Sequence, residues 1–113
     1  MASEKLFENK VKVFLKDNGA WYVKFFANRM TKVGVPDILA CVCGEFIAIE
    51  VKAPNGRPSE LQLWNVSKID DAGGIAVVLY PNQFNKFKEL IHKVQEHDMV
   101  TAKMIMREIN ERR

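Results

Sequence analysis

Asp37, Glu50 and Lys52 are the residues whose types and spacing can support chemistry. They lie on two short β-type runs, DILACVC and FIAIEVK, separated by Gly44 and Glu45, which reads as a hairpin. With Gly44 and Glu45 as a two-residue turn, Cys43 faces Phe46, Leu39 faces Glu50 and Asp37 faces Lys52. Opposed residues in an antiparallel pair point to one face, as do positions i and i+2 of a strand. Asp37, Glu50 and Lys52 then share a face, with Asp37 diagonal to Glu50 at about 7 Å along the backbone. A turn one residue longer would place Asp37 opposite Val51 and scatter the group, so the expectation rests on register.

Two carboxylates converging without a countercharge repel each other, and one of them resists ionisation. A divalent cation removes the conflict, and an oxygen donor set favours Mg²⁺ or Mn²⁺ over Zn²⁺. A metal-bound water can serve as a nucleophile, and the Lys52 ammonium beside it can orient that water or stabilise charge developing on a phosphate. The same residues also read as a cross-strand Asp–Lys ion pair at a sheet surface, a contact worth little.

The elements that must hold this group follow from the patterning. A helix is expected over Glu4 to Asn18, capped by Ser3, with an apolar stripe of Phe7, Val11, Phe14 and Leu15, ending at Gly19. AWYVKFFA, residues 20–27, suits a strand, and the basic NRMTKVG that follows suits a loop. After the hairpin, APNGRP is a loop. Ser59 and Gln62 form a capping-box pattern that opens a helix reaching about Ala72, before Gly73 and Gly74. GIAVVLY reads as a buried strand. Two further helices are expected, near Asn82 to Glu96 and Thr101 to Glu111. The order α, β, β, β, α, β, α, α predicts a mixed α/β domain with a hairpin inside its sheet.

With 113 residues, a single domain spanning 1–113 is expected. Apolar residues at 48% and charged residues at 27% argue against disorder, and a net charge of +3 is too mild to identify a nucleic-acid binder. Two cysteines make no disulfide framework, which points to a reducing, cytoplasmic setting. No apolar run approaches a membrane span, and the charged opening MASEKLFENK predicts no secretion signal. Other catalytic plans find little support. His92 and His97 read as exposed residues late in the chain, and Cys41 and Cys43 as small buried hydrophobes without the further ligands zinc needs. Gly73 and Gly74 end a helix, so they form no phosphate loop.

The stretch GVPDILACVCGEFIAIEVKAPNGRPSELQ resembles the core of the PD-(D/E)xK nuclease superfamily, and within it the virus-type replication-repair nuclease domain, VRR-NUC, in its stand-alone phage-like form. The likeness lies in Gly-x-Pro-Asp, a hairpin, Glu-x-Lys and a helix bearing Gln, over residues 34–62, and the flanking elements extend it over roughly 4–81. The resemblance implies a restriction-endonuclease-like core, a mixed central sheet with an internal antiparallel hairpin flanked by helices. Residues 82–113 would add a C-terminal helical segment. It further implies that Asp37 and Glu50 bind Mg²⁺ or Mn²⁺, that the Val51 carbonyl completes the shell, and that Lys52 assists the water. A Glu on the first helix would join them. Glu8 fits best, eleven residues before Gly19 as in similar archaeal junction resolvases, with Glu4 one turn earlier as the alternative. Gln62 would face substrate or water, or else serve only the capping box.

The activity implied is hydrolysis of DNA phosphodiesters at branched structures such as four-way (Holliday) junctions, by a homodimer with two symmetric active sites, in a bacterial or phage-infected cell. Alternatives are a flap or nicking nuclease working with a helicase or replication partner, and a non-catalytic DNA-binding module of the same shape. Lys24, Arg29, Lys32 and Arg57 are the expected phosphate contacts, and Lys10, Lys12 and Lys16 would widen that surface. Trp21, Tyr22, Phe25 and Phe26 are expected in the core rather than as a base-stacking platform. The last helix, rich in Met and Ile, either completes the core or forms an interface.

Overall fold

The computed structural model describes residues 2–26 and 33–111. Helix α1 (Ala2–Asp17) buries Phe7, Val11 and Leu15, spaced four apart so that they form one stripe. It starts one residue before Ser3, so Ser3 is not its cap. Its C-terminal end is closed by Asn18, whose side chain donates to the Phe14 carbonyl at 2.9 Å, and by Gly19 at φ +77°.

Strand β1 (Trp21–Lys24) is shorter than the expected 20–27, although the Phe25 N–H still donates to the Asp37 carbonyl at 2.8 Å. β2 (Ile38–Val42) and β3 (Glu45–Val51) form the hairpin, with Val42 facing Glu45 and Ile38 facing Ile49. The turn is therefore Cys43–Gly44, not Gly44–Glu45, and the register differs from the expected one by two residues. Both turn residues have positive φ, +49° at Cys43 and +83° at Gly44, the signature of a tight turn matched to strand twist. Only Gly44 announces such a turn in sequence, because Cys43 pays the steric cost of a side chain in the left-handed region. A shift of two keeps every side chain on its face, since the strand period is two.

Helix α2 (Glu60–Asp71) carries the chain from β3 to the parallel strand β4 (Ile75–Leu79), giving a mixed four-stranded sheet in the order β1-β2-β3-β4. A single 3₁₀ turn (Pro81–Gln83) leads into α3 (Phe84–Gln95), followed by α4 (Met99–Asn110). One sheet face packs Ile38, Ala40, Ile47, Ile49, Val77 and Leu79 against α1, α3 and α4. The other packs Ala48, Ala76, Val78 and Tyr80 under Leu63, Val66 and Ile69 of α2. Helix α4 buries Ala102, Ile105, Met106 and Ile109, so it belongs to the core. It also closes the β4 edge: the Asn110 amide accepts from the Val78 N–H at 3.0 Å and donates to the Ala76 carbonyl at 2.9 Å, in place of a fifth strand.

The β1 end of the α2-facing side stays open. Trp21 is 67% exposed, and Phe26 is 73% exposed beyond the strand end, contrary to the core role expected of both; Tyr22 does pack against the core. Cys41 and Cys43 are also exposed rather than buried, because β2 runs out from under α2 and the turn projects into solvent. Among the described residues no helix is long and apolar enough to cross a membrane.

Candidate metal centre

Asp37 precedes β2 by one residue, after the segment Gly34-Val35-Pro36. That segment is docked on α2. A Cβ on Gly34 would stand 2.7 Å from Leu61 Cγ and 2.9 Å from Asn65 Nδ2, and Gly34 has φ +83°, so only glycine fits without a shift. The buried Asn65 amide donates to the carbonyls of Leu61, at 3.0 Å, and Val33, at 3.4 Å, tying the segment to the helix. Asp37 Oδ2 then accepts the Val51 N–H at 2.9 Å, a cross-strand bond that aims the carboxylate at the end of β3.

Continuing the hairpin ladder one step beyond Ile38 and Ile49 sets Asp37 across from Glu50, with Lys52 on the diagonal. The expected pairing was the reverse, Asp37 across from Lys52, but the even shift leaves all three on one face. Glu50 is only 2% exposed. Its Oε2 accepts from Gln62 Nε2 at 2.9 Å and lies 3.3 Å from Lys52 Nζ, while its Oε1 is buried with no hydrogen-bond partner. Burial, and next the negative charge of Asp37, push the Glu50 carboxyl up to about 7 against the opposing pull of Lys52.

Gln62 closes the capping box that its spacing suggested and also reaches Glu50, a contact the spacing did not indicate. Its Oε1 accepts the Ser59 N–H at 2.8 Å and its N–H donates to Ser59 Oγ at 3.1 Å, completing the capping box of α2. Its Nε2 remains for Glu50. The helix start is thus locked to the acidic residue by one side chain.

Glu8, on α1, is the helix carboxylate that reaches this end of the sheet; it is 4% exposed, whereas Glu4 is half-buried and without an ion pair among the described residues. Glu8 Oε1 receives Lys24 Nζ at 2.7 Å, and Glu8 Oε2 faces Lys12 Nζ at 2.7 Å. Burial pushes the Glu8 carboxyl up, but the contacts and charges of Lys12 and Lys24 together outweigh it and hold it below the ordinary value. Lys24 Nζ also lies 3.6 Å from Asp37 Oδ1, which joins α1, β1 and the hairpin through one ammonium. Burial lowers the Lys24 pKa and its two carboxylate partners more than restore it, so it stays raised.

Lys24, one of the expected phosphate contacts, is thus ion-paired with Glu8 and Asp37, and Lys12 belongs to the same ion-pair group. The signal for Lys12 lay in its i,i+4 spacing from Glu8; Lys24 had none, its partners being distant in sequence. Arg57 is exposed and lines an open cleft of about 630 Å³ with Pro54, Asn55 and Gly56, whose far wall includes Tyr80 and Asn82. Arg29 and Lys32 lie outside the described residues.

Among the described residues no three His, Cys, Asp or Glu side chains converge as a ready metal cage. The pair Asp37 and Glu50 nevertheless suits a hard cation. Both donors are oxygens, they oppose each other electrostatically, and one buried oxygen lacks a partner. No protein-family model matches this chain, and a search of curated proteins finds no similar sequence.

Proposed function

We propose that this chain is a divalent-metal-dependent endonuclease that hydrolyses DNA phosphodiesters, selective for branched duplexes such as four-way junctions. The observation that carries the reading is Oε1 of Glu50, buried with no N–H donor on a carboxyl set against Asp37 and within the same group as Lys52. A solvated surface ion pair has no such orphan, and a buried one costs about 1–3 kcal/mol. Asp37 and Glu50 would hold Mg²⁺ or Mn²⁺, with the Val51 carbonyl as a further oxygen donor. The ion, when bound, would lower the pKa of a coordinated water and neutralise charge on the scissile phosphate.

The protein's own groups do the rest. Val51 N–H and Gln62 fix the two carboxylates in place. Lys52 Nζ, half-buried and 3.3 Å from Glu50, orients the attacking water and offsets negative charge as the phosphorus–oxygen bond breaks. Glu8 enters through Lys24, which it holds against Asp37. Arg57 and the cleft behind it offer a polar surface for the flanking backbone. A homodimer is the working form, since symmetric nicking of a junction requires two sites related by a two-fold axis. Val33, Leu61 and Trp64, exposed apolar neighbours beside the docked Gly34 segment, are the surface a second copy would cover.

The test is cleavage of an end-labelled synthetic four-way junction, compared with linear and flapped duplexes, with Mg²⁺, Mn²⁺ or EDTA. Junction nicking in either metal is expected, with a loss of about 10²-fold or more in Glu50→Ala and Lys52→Ala proteins that remain folded. Junction binding in EDTA without cutting in Mn²⁺ would instead assign the chain as a non-catalytic binding module. Preferential cutting of flaps would assign the flap role.

A further inference from the structure

The charges around the centre balance before any metal is added. Glu8, Asp37 and Glu50 are matched by Lys12, Lys24 and Lys52, each lysine within 4 Å of at least one of these acids. The three lysines are not equivalent. Among the described residues Lys12 pairs with Glu8 alone, one turn away on its own helix, and Lys52 with Glu50 alone. Lys24 alone bridges two acids, at 2.7 Å from Glu8 and 3.6 Å from Asp37. Its Nζ stands where a cation shared by the helix carboxylate and the hairpin carboxylate would stand. Its stem comes from an edge strand, and its Nζ lies 5.7 Å from the centre of the Phe26 ring.

On the other side of Asp37 the situation is reversed. Glu50 Oε1 has no donor, and Lys52 and Gln62 both approach Oε2. One half of the acidic group therefore has an ammonium bridging its two acids, whereas on the other half Lys52 reaches only Oε2 of Glu50 and no ammonium bridges Glu50 to Asp37 among the described residues.

We propose that the Lys24 ammonium takes the place of a second cation between Glu8 and Asp37, and thereby limits the centre to a single divalent ion on the Asp37–Glu50 side. Lys24 is a positioning residue in this scheme. It keeps Glu8 out of the coordination shell and leaves Asp37 Oδ1 facing a fixed charge. A neutral side chain at position 24 would leave Glu8 and Asp37 as a second pair of oxygen donors needing a countercharge, which a divalent ion can supply. An arginine would retain the block.

The inference rests on the metal reading above, and titration of the whole chain with Mn²⁺ alone tests both separately. Calorimetry, with free Mn²⁺ followed in parallel by paramagnetic resonance, is expected to give one ion per chain for the wild type and for Lys24→Arg, and two for Lys24→Gln. One ion of unchanged affinity in Lys24→Gln, or two in the wild type, would overturn the role of Lys24 while leaving the metal centre standing. A wild type that takes up no Mn²⁺ would overturn the metal reading itself. Glu8→Gln gives a second measurement that does not require the Lys24→Gln protein to fold. Its single site is expected to keep its affinity to within about threefold, and a loss of about tenfold or more would make Glu8 a ligand and refute the scheme.

Discussion

At the scale of single residues, the centre is defined by what each carboxylate has been given. Glu8 has two ammonium groups at 2.7 Å and is held ionised. Glu50 has one lysine, one amide and an oxygen without an N–H donor, and burial together with Asp37 pushes its carboxyl up to about 7. The two acids therefore act on stability in opposite directions. The raised Glu50 keeps its proton in the folded chain where the unfolded chain has lost it, so its contribution is present below the ordinary carboxylate range and lost as pH rises through about 7. The depressed Glu8 contributes above that range, and its contribution is lost as pH falls through it. Metal-free protein should thus lose stability between pH 5 and 8, by up to about 1.4 kcal/mol per pH unit near the middle of that window. Urea melts of Glu50→Gln should show a flatter profile over the same range; an unchanged slope would mean that Glu50 does not titrate as described.

At the scale of elements, parity mattered more than pairing. The hairpin turns at Cys43–Gly44, one step earlier than composition suggests, because a cysteine at φ +49° has no sequence signature. Asp37, Glu50 and Lys52 still share a face, since an error of two residues leaves the pleat unchanged. The capping box at Ser59 and Gln62 was legible from spacing, but its second use was not: the Gln62 bond to Glu50 depends on where α2 lands on the sheet. The same is true of Lys24, whose partners come from α1 and from the end of the β1–β2 loop, distant in sequence. Gly34 is the hinge between sequence and site. Its positive φ and its approach to Leu61 and Asn65 let the segment before Asp37 lie flat on α2. Gly34→Ala should cost roughly 2–4 kcal/mol through strain and overpacking, read as a lowered urea midpoint with an unchanged slope. A midpoint equal to that of the wild type would show that the segment is free to shift.

At the scale of the whole molecule, the sheet is covered unevenly, and this determines where side chains can act. Helices α1, α3 and α4 seal one face, and Asn110 closes the β4 edge. Helix α2 lies over β3 and β4, its cluster reaching β2 at Leu39, and leaves Trp21, Cys41 and Cys43 in solvent. Local patterning identified those residues as apolar and therefore buried; it carried no information on how far one twelve-residue helix reaches across four strands. The acidic group sits where the α1 side, the hairpin and the α2 start come together, so a cation bound there would couple all three. Thermal unfolding in Mn²⁺ at pH 8 measures that coupling most directly. With Mn²⁺ about a hundredfold above its dissociation constant, the wild-type midpoint should rise by on the order of 10 °C, and the midpoints of Glu50→Gln and Asp37→Asn should stay where they are without metal. A wild-type midpoint indifferent to Mn²⁺, or an equal rise in Glu50→Gln, would contradict the assignment of Asp37 and Glu50 as the pair that holds the ion.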